Sequence, residues 1–218
     1  MNENKFLRRK AKVLLEFLRR KYKRYVENHV ARKEGPFKLL IATILSQRTR
    51  DENTAKAARK LFSLASTPEK MLKLDEKTLE TAIKVAGMYR QKAKRIREVC
   101  RILLRDFKGR VPDRREELLK LPGVGFKTSD VVLCYGFGVP TIPVDVHVEV
   151  FSKRFGLVNE KAGYEEIRKT LERLIPERDR YLVNLALVKF GKDVCRTRNP
   201  KCEMCEIKEY CDYYRKRK

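Results

Sequence analysis

Apolar residues recur at three- and four-residue intervals along most of this chain. Between residues 5 and 27, Leu7, Val13, Leu14, Phe17, Leu18 and Tyr22 share one face of a helical pattern otherwise rich in Lys and Arg. The spacing returns after each break. Gly35-Pro36 leads into Leu39, Leu40, Ile44 and Leu45, and Pro36 suits a first helical turn. Asp51 is placed to cap a helix burying Ala55, Ala58, Leu61 and Phe62. Thr67-Pro68-Glu69 and Asp75 start two more, and Gly87 ends the second. A long amphipathic pattern runs from Tyr89 to Phe107, stopped by Gly109, and Pro112-Asp113 opens a short helix to Leu121. No stretch alternates apolar and polar residues with β-branched enrichment, so the expected fold class is all-α.

The chain has 218 residues, 42% of them apolar, which is enough for a core and excludes disorder throughout. No apolar run approaches the ~18–20 residues of a membrane span, and residues 1–23 contain no uninterrupted apolar h-region. The expectation is a cytoplasmic protein with no membrane partner. Lys and Arg number 53 against 29 Asp and Glu, a net charge of +24. Such an excess calls for a polyanion, and nucleic acid is the default.

Leu121-Pro122-Gly123-Val124-Gly125 separates the short helix from an apolar one expected over Lys127 to Phe137. Two glycines in a tight turn aim backbone N–H groups outward at a helix N-terminus, which is an anion site suited to a DNA phosphate. The pattern resembles a helix-hairpin-helix motif. Eighteen residues after Lys127, beyond a Gly/Pro-rich stretch (136–143), stands Val144-Asp145-Val146-His147. The hairpin, the Lys at the start of its second helix and the Val-Asp-x-His together resemble the helix-hairpin-helix DNA glycosylases, and among them the endonuclease III family. The likeness runs from about residue 30 to residue 212.

The resemblance implies that Lys127 is a nucleophile and Asp145 a catalytic carboxylate. Chemistry agrees. An attacking amine must be unprotonated, and a free Lys of pKa ~10.4 is neutral only about once in 2,500 at pH 7. Burial and the positive end of a helix dipole both lower that pKa. A Schiff base to C1′ then permits β-elimination. Asp145 can stabilise an oxocarbenium-like transition state and cap the following helix. His147 suits orientation or phosphate contact. Base flipping leaves a gap to fill. Family relatives use a Gly-x-Tyr loop, here Gly87-Met88-Tyr89, and a Leu-Ser-x-Gln segment, here Leu45-Ser46-Gln47-Arg48. Arg48 occupies the usual Gln position and Gln47 precedes it, so either can face the orphaned base. Leu121, Gly123, Val124 and Gly125 complete the expected DNA-binding set.

Cys195, Cys202, Cys205 and Cys211 are spaced C-x6-C-x2-C-x5-C within 17 residues. Clustered thiols without a secretory signal argue for metal, and four thiolates suit either zinc or a [4Fe-4S] cluster. The resemblance selects the [4Fe-4S] cluster. Cys100 and Cys134 lie in apolar helical patterns and read as buried thiols.

The resemblance implies a two-lobed helix-hairpin-helix glycosylase fold with a C-terminal iron–sulfur cluster loop. One lobe is a helical bundle of residues 29–138; the other joins residues 1–28 to 139–218, with a cleft between them. The implied protein is a monomeric, nucleoid-associated enzyme of prokaryotic type. It excises oxidised pyrimidines from double-stranded DNA and cleaves abasic sites. The alternatives are a monofunctional mismatch glycosylase acting on thymine or adenine, which generally lacks the hairpin Lys, and a non-catalytic DNA-binding module.

Overall fold

The computed structural model describes residues 3–217, and among them every regular element is helical. The α-helices are α1 (Glu3–Glu27), α2 (Pro36–Ser46), α3 (Asp51–Leu64), α4 (Pro68–Lys73), α5 (Glu76–Ile83), α6 (Tyr89–Phe107), α7 (Arg115–Leu118), α8 (Phe126–Val131), α9 (Val146–Phe155), α10 (Tyr164–Leu174), α11 (Glu177–Asp193) and α12 (Asp212–Arg215). No helix among the described residues is long and apolar enough to cross a membrane.

Local chemistry explains several of the boundaries. Thr67 caps α4 by accepting from the Lys70 amide at 3.3 Å, with Pro68 in the first turn. Asp75 caps α5 by accepting from the Thr78 amide at 2.9 Å. Three boundaries differ from the sequence expectation. Arg50, not Asp51, is the N-cap of α3; Asp51 lies in the first helical turn, where its charge faces the positive end of the dipole. The helix after Pro112 covers only α7, because Leu119 leaves the helix before the hairpin. The helix expected to reach Phe137 is α8 for six residues and then a π-helical turn over Val132–Gly136. At Gly136 an added Cβ would lie 3.3 Å from the Cα of Pro36, so this turn packs directly on the start of α2.

The chain divides into two compact units. The first is continuous, Lys33–Phe137. Its core gathers Leu40, Ile41, Ile44 and Leu45 of α2 with Leu61 of α3, Met71 of α4, Leu79 and Ile83 of α5 and Ile96, Val99, Cys100 and Leu103 of α6. Leu118, Leu121 and Val124 extend this core into the hairpin. The second unit is discontinuous, running up to Arg32 and from Gly138 onward. Here α1 packs along α11, and α9 packs on α11 as well. Phe17 and Tyr22 of α1, Phe151 of α9 and Phe190 of α11 form an aromatic cluster; the Phe17 and Phe190 rings are 5.2 Å apart, edge to face.

Candidate active site

In the continuous unit the hairpin is built by three separate devices. Gly123 has φ +79°, a left-handed conformation that side chains rarely adopt, and a Cβ there would stand 3.0 Å from the Arg95 side chain. The Val124 amide folds back onto the Leu121 carbonyl at 3.1 Å. The Arg115 guanidinium pairs with the Asp130 carboxylate at 2.5 Å, tying α7 to α8, and lies 5.3 Å from the Phe126 ring centre. Leu121 and Val124 are 2% and 7% exposed, so their side chains serve the core and only their backbone is available to a ligand. Gly125 is the N-cap of α8 with extended backbone, and a Cβ there would meet nothing within 4 Å. The fold itself therefore does not demand glycine at 125.

Lys127 is half-buried in the first turn of α8. That turn leaves its N–H groups without intrahelical partners and carries the positive end of the dipole. Gln47 is drawn to the hairpin: its Nε2 donates to the Gly123 carbonyl at 2.7 Å, and its Oε1 accepts from Arg95 at 3.4 Å. Arg48 is exposed, with φ 53°. Met88 is 50% exposed, with φ 45°.

In the discontinuous unit Asp145 caps α9, its Oδ1 accepting from the His147 and Val148 amides, both at 3.0 Å. The Gly/Pro-rich segment before it is fastened down. Arg180 donates to the Pro140 carbonyl at 2.8 Å, the Ile142 amide to Glu172 at 3.1 Å, and Asn184 to the Pro143 carbonyl at 3.0 Å. His147 presses against Gly191 of α11, where an added Cβ would fall 2.3 Å from its Nδ1. That Nδ1 is buried without a hydrogen-bond partner. Gly191 had a signal in the sequence, a glycine inside an otherwise strong helical run.

Cys195, Cys202, Cys205 and Cys211 line one cavity, walled by Phe151, Phe155, Phe190 and Tyr214. Burial raises the Cys195 and Cys211 thiols above the ordinary range and pushes Cys205 up to about 11. Arg154 opposes this at Cys195, with Nη1 3.8 Å from its sulfur and both guanidinium ends on the Arg196 and Thr197 carbonyls. Among the described residues no group of three or more His, Cys, Asp or Glu side chains is arranged to hold a metal ion as the side chains stand. The donor set fits a thiolate-ligated group nonetheless: four soft ligands face one apolar-walled space, where burial disfavours the thiolate form unless a cation offsets its charge. The loop is anchored by buried Lys10, which donates to the Phe155 carbonyl at 2.7 Å and to Asp212 at 2.6 Å.

This fold and these motifs define a helix-hairpin-helix repair protein. Residues 41–177 match the HhH-GPD superfamily base excision DNA repair protein family. Endonuclease III of Thermotoga maritima is 48% identical over 202 residues, 93% of each chain. That of Escherichia coli K12 is 39% identical over 182 residues, 84% of this chain and 86% of its own. A trapped covalent endonuclease III–DNA intermediate superposes with a TM-score of 0.87 at 34% identity, covering 96% of this chain and 98% of that one. A thermostable thymine-DNA glycosylase gives 0.88 at 30% identity, covering 95% and 98%. The chain belongs to the endonuclease III family of base excision DNA repair proteins. It is a DNA-binding glycosylase with abasic-site lyase activity.

Proposed function

We propose that this enzyme excises oxidised pyrimidines from duplex DNA as a monomer, with Lys127 as nucleophile and Asp145 as the catalytic carboxylate. The observation that carries the reading is the place of Lys127, an amine in the first turn of the helix that follows a glycine hairpin. The hairpin backbone binds phosphate without reading bases. The neutral Lys127 amine attacks C1′, the glycosidic bond breaks, and the base leaves with the bonding pair and takes up a proton. The added nitrogen gives up one proton, and its lone pair then breaks the C1′–O4′ bond, O4′ taking up a proton as the ring opens, to leave a protonated Schiff base. Loss of a C2′ proton then expels the 3′ phosphate. The Asp145 charge stabilises the cation that develops at the sugar. His147 orients the helix start beside Asp145. Met88 and one of Gln47 and Arg48 fill the gap left by the flipped base. The Gln47 amide is already committed to Gly123, which favours Arg48.

Cys195, Cys202, Cys205 and Cys211 hold a [4Fe-4S] cluster in this reading, supported by the shared cavity and the family likeness. The cluster fixes the shape of a basic loop bearing Arg196, Arg198, Lys201 and Lys208, which adds charge toward phosphates. Protein prepared without oxygen is expected to carry about four irons per chain. Stoichiometric zinc would overturn the assignment.

Likeness to the thymine-DNA glycosylase favours a second reading, removal of mismatched thymine. A panel of duplexes bearing thymine glycol, uracil, a G·T mismatch or an abasic site separates the two. Borohydride is expected to trap a covalent adduct on thymine glycol and abasic DNA, and Lys127→Gln to abolish adduct and nicking with non-specific binding nearly intact. A Lys127→Gln enzyme that still nicks abasic DNA sinks the nucleophile assignment.

A further inference from the structure

Lys92 lies in the first half of α6 and is 2% exposed. Its ammonium carries three N–H donors, and three acceptors surround it: the Leu45 carbonyl at 2.8 Å, the Ala86 carbonyl at 2.9 Å and the Thr49 hydroxyl oxygen at 2.6 Å. Leu45 is in the last turn of α2. Ala86 ends the short 3-10 turn Lys84–Ala86. Both carbonyls thus belong to C-terminal helical ends, where the backbone dipole is negative and a cation is favoured. The Thr49 hydroxyl in turn donates a hydrogen bond to the Ala86 carbonyl, which closes the triangle.

The two segments joined at this nitrogen share an unusual feature. Among the described residues, four other than glycine have positive φ, and two of them are Arg48 and Met88. Each is exposed, and each sits within three residues of an atom bound to Lys92 or to Thr49. A left-handed conformation at a long side chain persists only where its surroundings over-determine it. The surroundings common to both are the Lys92 hydrogen bonds.

We propose that Lys92 is a positioning residue for base flipping, a buried cation that locks the Arg48 and Met88 loops in one register so that their side chains enter the duplex as a preset pair. The proposal rests on reading these two side chains as gap-fillers. It gives Lys92 no contact with DNA and no part in the covalent chemistry. Its effect is to make the two insertions dependent on each other.

The test uses the full-length enzyme and a duplex carrying 2-aminopurine beside thymine glycol. Lys92→Met keeps length and loses all three hydrogen bonds. It is expected to lower the fluorescence step that reports flipping and to slow single-turnover excision about ten- to a hundredfold, the scale of a small misplacement. Nicking of a preformed abasic site and non-specific affinity should change far less. Lys92→Arg, which keeps the charge and several donors, should recover part of the loss. The decisive readout is coupling. Arg48→Ala and Met88→Ala should be strongly non-additive with Lys92 present and additive in the Lys92→Met background. If Lys92→Met does not fold, Thr49→Val removes one corner of the clamp and takes the same measurements. Additive losses from Arg48→Ala and Met88→Ala in the wild-type background, or a flipping step unchanged by Lys92→Met or Thr49→Val, overturn the clamp. If Arg48→Ala and Met88→Ala each leave flipping untouched, the gap-filler reading itself falls and the clamp with it.

Discussion

In the proposed mechanism Asp145 has two duties that pull on different properties of one side chain. Capping α9 needs an oxygen that accepts from His147 and Val148; catalysis needs a negative charge. Asp145→Asn keeps the oxygen and removes the charge. Excision is expected to fall by orders of magnitude with the melting temperature almost unchanged, while nicking of preformed abasic sites falls less. Asp145→Ala should lose excision and also about 1 kcal/mol of stability, the usual worth of a cap. Chemical denaturation beside single-turnover kinetics separates the two effects, and an Asn variant of normal rate refutes the charge argument. The capping half of this was legible in the sequence, because Asp145 precedes Val148 and Phe151 at helical spacing. The environment of Gln47 was not. Nothing local says that an amide at position 47 bonds the carbonyl of Gly123, since a contact 76 residues apart depends on how α2 and the hairpin pack. The same holds for Lys92, one of 53 basic residues until its three acceptors are seen.

At the scale of elements, the caps at Thr67, Asp75 and Asp145 were legible, the one expected at Asp51 falls instead to Arg50, and helix ends were less legible. The Phe126 helix gives way to a π-helical turn whose Gly136 lies against Pro36, a tertiary contact that local propensity does not contain. The grip of α1 on the cysteine loop was likewise hidden. Arg20 pairs with Glu206 at 2.6 Å and Lys21 pairs with the same carboxylate. These two cations hold Glu206 below its ordinary value of 4.5. A lowered carboxylate contributes stability that is complete above its ordinary value and fades as pH falls through the lowered one. Both partners are largely exposed, so the contribution is small and screened by salt. Thermal melts of wild type and Glu206→Gln should therefore differ at neutral pH and low salt, and converge as the pH drops below the lowered value. A gap that widens on acidification contradicts the pairing.

For the whole molecule, the net charge of +24 sets how it meets DNA. If about six phosphates are neutralised, log K for undamaged duplex falls against log salt with a slope of about −5. Filter binding or anisotropy between low and moderate salt measures it. A slope near zero means the basic excess lies away from the DNA footprint. The fold class and the four-cysteine signature were readable from spacing, because helical period and metal-ligand spacing are local properties. The partition into a continuous and a discontinuous unit was not a local property; the sequence pointed to it only through the family resemblance, as residues 29–138 against 1–28 with 139–218. Its boundaries at Lys33 and Gly138 depend on which core each helix joins.

The discontinuous unit also sets an order of events on the ribosome. The stretch Lys33–Phe137 has all its core partners within itself and can close as soon as it has emerged. Helix α1 cannot, because Phe17 waits for Phe190. At about 5–20 residues per second, that wait lasts on the order of ten seconds or more. During it, the apolar face of α1, with Leu14 and Leu18 on it, lacks α11 to pack against, and the interleaved lysines and arginines oppose association of that exposed face with other chains.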